Sequence, residues 1–273
     1  MSAKQIVGLV LVRNEDIHVG RAVANITAFC DRILLADHRS EDQTPAILAD
    51  LAARYPHVEL HPVAHPRESH ALVSGYAGSD TWVFAVDGDE IYDPAGLAEL
   101  RTRILAGVYD RWWMIFGNVL NCDWVDAAGG DAAGYLAPPC RSITKLYNFS
   151  LIHAWDGDTP ERLHGGRIVF KEGFDASLRL NLHEQISWEE SVFRCLHTCF
   201  VRRSSAEPAA ENAGADGALP ARENIMDLHK YSLTAWIRRL YARLTGRAAV
   251  SVWKLERYRR GPRVRVDAAS FFR

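Results

Sequence analysis

Three carboxylates stand almost side by side at Asp87-Gly88-Asp89-Glu90, directly after the apolar run Trp82–Val86. A run of that length, β-branched and aromatic, predicts a buried strand. In open α/β sheets, ligands bind just outside the carboxyl ends of strands. Carboxylates crowded at such a place repel one another unless a cation sits among them, and hard divalent ions prefer oxygen ligands. The residues therefore point to a divalent-metal and nucleotide site, against the plainer reading of a solvated acidic turn. Cys195-Leu196-His197-Thr198-Cys199 alternates, so on a strand its two thiols and imidazole would share one face. The spacing is poor for structural zinc, which uses a second ligand pair. A base able to take a proton from an acceptor hydroxyl has several candidates: Asp156, Asp158, Glu184, Glu189 and Glu190. His164, before two glycines, is a candidate loop residue of the acceptor side, or a plain turn residue.

The elements that must position these groups follow from periodicity. Ile6–Val12 reads as a fully buried first strand, with Asn14 as a helix cap and Val19, Ala22, Val23 and Ile26 at helical spacing. A second strand, Ile33–Ala36, precedes Asp37, and Thr44-Pro45 opens a helix. Val58–Leu60 is a third strand, Ser69–Tyr76 is helical, and Asp93-Pro94 opens a helix after the acidic turn. This alternation predicts an α/β fold, a mostly parallel central sheet with helices on both faces. Beyond Arg111 the expected strands are Trp112–Leu120, Ile143–Leu151, Arg167–Phe170 and Phe193–Val201, with a small-residue loop over Asp126–Gly134.

The organisation expected is a catalytic domain over 1–203, a nucleotide-binding half (1–110) followed by an acceptor half (111–203). A flexible linker or lid, rich in Ala, Gly, Pro and acids, follows at 204–221, and a basic helical segment at 222–273. That last segment carries thirteen Lys/Arg against four acids. Tyr231, Trp236, Leu240 and Leu244 give it an amphipathic face, which either packs on the catalytic domain or meets an anionic membrane surface.

With 273 residues, 48 % hydrophobic and 24 % charged, the chain has the composition of a soluble globular protein. A formal net charge of −2 gives no argument for a nucleic-acid partner. No apolar run approaches the ~20 residues of a membrane span. Five cysteines without framework spacing suit reduced thiols, so the expected location is cytoplasmic, with the inner membrane face open to the basic segment. No G-x-x-x-x-G-K-[ST] occurs, which excludes a P-loop enzyme.

Three strand ends carry a family resemblance: Val12-Arg13-Asn14-Glu15, then Asp37, Ser40, Asp42 and Thr44, then Asp87-Gly88-Asp89-Glu90. In this order they resemble the "V-K/R-N-E", "D-x-x-S-x-D-x-T" and "D-x-D-E" motifs of family 2 glycosyltransferases with the GT-A fold, over about the first 110 residues. The resemblance implies a GT-A fold and a metal-dependent transferase that moves a sugar from a nucleotide-sugar (UDP-, GDP- or dTDP-linked) to an acceptor hydroxyl by inversion. The acceptor would be a glycan, a lipid-linked sugar or a small molecule. Val12, Arg13, Asn14, Glu15 and Asp37 would hold base and ribose, with Asp87 near the ribose and Gly88 in the same turn. Asp89 would ligate Mn²⁺ or Mg²⁺ on the diphosphate, with His197 completing the metal shell. Arg67 is a further cation for the pyrophosphate, or a surface arginine. Leu182-His183-Glu184 resembles an "I/V-H-E" segment and makes Glu184 the first candidate base, Asp158 the second. A sugar-phosphate nucleotidyltransferase stays open as an alternative, although the glycine-rich basic loop usual there is missing. So does a non-catalytic nucleotide-sugar-binding protein of the same fold, although buried like charges are costly to keep without a cation.

Overall fold

The structure, a computed structural model, describes residues 3–142, 145–207 and 252–273, together with Ile237. The chain opens with β1 (Gln5–Val12), α1 (Val19–Ile26), β2 (Arg32–Asp37), α2 (Thr44–Arg54), β3 (Val58–Pro62), α3 (Glu68–Ser74) and β4 (Thr81–Asp87). β5 (Glu90–Tyr92), α4 (Pro94–Leu105), β6 (Met114–Phe116), β7 (Asn118–Asp126) and β8 (Asp131–Leu136) come next. β9 (Lys145–Asn148), β10 (Ile152–Asp156), β11 (Arg167–Phe170), β12 (Arg179–Asn181), α5 (Leu182–Gln185) and β13 (Arg194–His197) follow. The described C-terminal part holds α6 (Val252–Tyr258), β14 (Arg263–Asp267) and α7 (Ala269–Phe272).

Seven strands form the main sheet in the order β12-β6-β9-β4-β1-β2-β3, parallel except for β9. β1 lies at its centre with seven of eight residues buried, because both sheet faces are covered. Val19 and Val23 of α1, Leu48 of α2 and Leu100 of α4 pack on one face against Val10, Ile33 and Phe84. Val73 of α3 covers the other face with Trp113 and Trp155, against Val7, Leu9 and Val83. This is the mostly parallel α/β architecture, helices on both faces, that the GT-A resemblance implied. A second sheet, β14-β8-β7-β13-β5, includes β5, the strand that follows directly on the acidic turn.

Four local expectations are corrected. Trp112–Leu120 is two strands, because the chain changes sheets at Gly117, where a side chain would meet the Phe193 carbonyl. The small-residue loop at Asp126–Gly134 is a hairpin whose return strand, β8, is buried at Ala132 and Ala133. The strand expected over Phe193–Val201 stops at His197, and the following residues form a crossing segment. The basic C-terminal segment is not wholly helical: β14 pairs antiparallel with β8, and Phe271 is fully buried with its carbonyl accepting from Asn25 Nδ2 at 2.8 Å. The amphipathic face at Tyr231–Leu244 lies outside the described residues, as does the linker from residue 208 to 221. Residues 204–207, its start, are ordered against the first two loops.

Candidate functional site

Strand register brings the three motif-bearing ends to one edge. Val12 pairs with Asp37, and Leu11 with Asp87, so β1, β2 and β4 finish together. The first two loops then lock into each other. Asn14 takes a left-handed backbone (φ 53°), donates its amide to Ser40 Oγ at 3.0 Å and accepts the Glu41 amide at 2.7 Å. It is therefore not the helix cap expected; α1 begins at Val19. Ser40 donates its hydroxyl to Asp37 Oδ1 at 2.6 Å, and Thr44 Oγ1 accepts from the Glu15 amide at 2.9 Å. Ser40 and Thr44 thus tie the loops to each other. Asp37 is 9 % exposed, and Arg13 Nη1 lies 3.5 Å from His38 Nδ1.

The acidic turn packs down on that lock. A methyl group on Gly88 would run into Glu15 Oε2 and approach Val12 Cγ1 to 2.8 Å, so the motif's glycine is set by close packing. Asp89 is 2 % exposed, and its Oδ2 accepts from Arg203 Nη1 at 2.5 Å. The same nitrogen lies 3.3 Å from Glu15 Oε1. Burial works against the Arg203 charge, yet Asp89 and then Glu15 hold its pKa above the ordinary arginine value. Arg203 arrives on a crossing segment pinned at several points. Ile17 donates its amide to the Arg203 carbonyl (3.1 Å), Ser204 its hydroxyl to Asp42 (2.5 Å), and Ser205 its amide to Asp16 (2.7 Å).

This bears on the Mn²⁺ or Mg²⁺ expected at Asp89 and His197. His197 Nε2 does face Asp89 Oδ2, at 3.7 Å, with Nδ1 bonded to Asn121 Oδ1 at 2.8 Å. A hard divalent ion needs about six ligands, largely oxygen. Among the described residues no three His, Cys, Asp or Glu side chains are grouped to hold an ion, and the Arg203 guanidinium already occupies Asp89 Oδ2. As arranged among the described residues, Asp89 and His197 do not fit the ion.

A second guanidinium serves Asp87. Arg162 Nη1 lies 2.5 Å from Asp87 Oδ1 and also donates to the Val86 carbonyl at 3.0 Å, while Nη2 lies 3.3 Å from Glu161 Oε1. Arg162 has an unusual positive φ (33°), held because Ser69 Oγ accepts its amide at 2.9 Å and the buried His70 ring bonds its carbonyl at 2.6 Å. Glu90 lies fully behind the turn, taking the Tyr92 hydroxyl at 2.9 Å and the Asp87 amide at 3.2 Å. Burial, then the Asp87 charge, raises its pKa well above the usual carboxylate range. Beside this group, Lys145 Nζ meets His164 Nε2 at 2.7 Å, and His164 Nδ1 lies 3.2 Å from Glu161 Oε1.

The remaining expected residues are scattered. Asp158 is exposed, at the start of the loop that delivers Arg162. Glu184 is exposed on α5, next to the sheet-edge strand β12, and accepts from Asn181 Nδ2 at 3.2 Å. Arg67 is exposed at the entrance to α3. All five cysteines are buried thiols outside any disulfide, and Cys195 lies in the core. Arg203, Arg162 and Lys145 were not found from sequence as partners of this turn. The motif's buried carboxylates did signal a need for cations, but not which cations.

No protein-family model and no curated protein sequence matches the chain. Solved structures give partial likenesses. One is a mannosyltransferase from Pyrobaculum calidifontis in complex with GDP-Man and Mn²⁺ (17 % identity, 45 % of this chain, 37 % of that one, TM-score 0.32). Another is 4-diphosphocytidyl-2C-methyl-D-erythritol synthase from Anaerococcus prevotii (12 % identity, 56 % and 74 %, TM-score 0.34). A third is glucosyl-3-phosphoglycerate synthase from Mycobacterium tuberculosis in complex with phosphoglyceric acid (15 % identity, 54 % and 58 %, TM-score 0.35). The match spans little more than a third of the first of these proteins. The likenesses are loose, and the fold class rests on the strand order and register described above.

Proposed function

We propose that the chain is a glycosyltransferase of the GT-A type that takes a sugar from a nucleotide-sugar donor and passes it to an acceptor hydroxyl. One observation carries the reading. The three strand-end motifs end on one edge in register and interlock through Asn14, Ser40, Asp37, Thr44 and Glu15. In this reading Asp37, with Arg13 and Asn14, receives the base and ribose, and Asp87, 34 % exposed, takes a ribose hydroxyl. Val12, Glu15 and Gly88 shape the floor on which these groups stand.

Direct displacement at the anomeric carbon needs a carboxylate that accepts the acceptor's proton. Asp158 suits this best, being solvent-accessible and a few residues from Arg162, which reaches Asp87. Glu184 and Arg67 remain candidates for acceptor and diphosphate contacts from the surface. The acceptor is a glycan, a lipid-linked sugar or a small molecule. No helix among the described residues is long and apolar enough to cross a membrane, and contact with a membrane surface through the basic segment remains a proposal.

The test is release of nucleoside diphosphate from a panel of UDP-, GDP- and dTDP-sugars, by wild type and by Asp37→Ala. The reading predicts slow hydrolysis of at least one donor, reduced by about 10²-fold in the variant, the order of loss expected when donor positioning fails. No turnover of any donor, with or without added acceptors, would contradict it.

A further inference from the structure

Charge at the strand-end site is matched on one side and unmatched on the other. Asp89 and Glu15 share Arg203, and Asp87 and Glu161 share Arg162. Lys145 is the converse. Among the described residues no carboxylate lies within ion-pair distance of its Nζ, and its hydrogen-bond partner is the His164 ring at 2.7 Å. A partly buried ammonium whose nearest carboxylates, Asp87 and Glu90, stay beyond ion-pair distance is only partly compensated for its desolvation. Such a group beside a strand-end site is a candidate to bind an anion.

Its place fits. β9 runs antiparallel to β4, with Lys145 opposite Ala85, two residues before Asp87, so the side chain stands at the same carboxyl edge. The charged and titratable groups facing it are Asp87 and Glu90 from the acidic turn, Arg141 before β9, and Arg162 and His164 from the loop, with Glu161 behind His164. His164 is kept neutral, its pKa pushed down to about 2 by burial and then by Lys145, so Nε2 accepts from the ammonium, while Nδ1 lies 3.2 Å from Glu161 Oε1 without a hydrogen bond. His164 is therefore a positioning residue. Burial, then Arg162, brings Lys145 down to about 8.

We propose that Lys145, positioned by His164, is the cation that binds the donor's diphosphate, and that it does so without a divalent ion. This rests on the nucleotide-sugar reading above. As the bond from the anomeric carbon to the diphosphate breaks, its electron pair stays on the phosphate oxygen beside the ammonium. The acceptor oxygen forms the new bond, and its proton goes to the carboxylate base.

Calorimetric titration of inorganic pyrophosphate, UDP, GDP and dTDP, each in EDTA and in Mn²⁺, tests this on wild type, Lys145→Met and Lys145→Arg. Pyrophosphate and one nucleoside diphosphate should bind in EDTA within about threefold of their affinity in Mn²⁺; Lys145→Met should weaken both at least about tenfold and Lys145→Arg about threefold or less. Wild-type affinity in EDTA should fall as pH rises through about 8, and that of Lys145→Arg should fall less. The wild-type pH profile keeps the test decisive if a variant does not fold. Binding that requires Mn²⁺, or Lys145→Met binding like wild type, overturns the proposal. Lys145-dependent pyrophosphate binding, with no nucleoside diphosphate tighter than pyrophosphate, would support the anion site and instead refute the nucleotide-sugar reading.

Discussion

Two sides of one acidic turn are built on opposite electrostatic terms. On the Asp89 side, two buried carboxylates close on the buried Arg203, and His197 and Thr198 supply further polar contacts. On the Lys145 side, an ammonium is propped by a neutral imidazole, with no carboxylate within ion-pair distance among the described residues. The first arrangement pairs its charges inside the protein and holds the crossing segment to the first two loops. The second leaves the ammonium only partly compensated, which the proposed anion would complete. A cluster rich in ionisable groups therefore need not bind ligand everywhere. The part left unbalanced is the part to examine for binding.

The contrast can be broken most forcefully at Arg203. Arg203→Met leaves Asp89 and Glu15 buried with their cation gone, and should cost about 3–5 kcal/mol in urea unfolding. Adding Asp89→Asn should recover much of that loss; a double variant no more stable than Arg203→Met would show that the pair is not the cause. Gly88→Ala comes next. Its methyl group must displace Glu15 and Val12, at about 1–3 kcal/mol. A thermal melt indistinguishable from wild type would mean the turn has room that the packing does not show.

The smallest effect has the opposite sign. Lys145→Met should raise stability at pH 7 by about 1 kcal/mol while weakening anion binding, since it removes a desolvated charge. The sign follows from the depressed lysine. In the folded state its pKa is about 8, below the ordinary value of 10.5 kept on unfolding. Below pH 8 both states carry the proton and the full penalty is present; above it the folded state sheds the proton first and the penalty fades. The stabilisation by Lys145→Met should therefore shrink in denaturation curves taken from pH 7 up to pH 10. A gain independent of pH would point to packing rather than charge.

What could be read from sequence divides along the same line. Ile6–Val12, Ile33–Ala36 and Trp82–Val86 are unbroken apolar runs buried on two faces, so strands and the order of their acidic ends were legible. Ser40 and Thr44 were legible as motif members, but not as the residues that tie one loop to another, which only the paired register reveals. Arg203 lies 114 positions from Asp89 and 188 from Glu15, so its role depends on how the chain closes, not on local pattern. The sheet change at Gly117 hides inside a stretch that is apolar but for Asn118. Arg263–Asp267 was a missed signal of the ordinary kind: Val264 and Val266 alternate with charged residues, the period of a half-buried strand.

The central claim is that the joined ends of β1, β2 and β4 bind a nucleoside diphosphate group. Hydrogen exchange with and without UDP, GDP and dTDP tests it most directly, at saturating ligand and in EDTA. The account predicts slower exchange confined to residues 13–16, 37–44 and 87–90 and to the loop 157–166, with one of the three nucleotides. Exchange unchanged in all four segments with every nucleotide, or protection confined to another part of the chain, would contradict it.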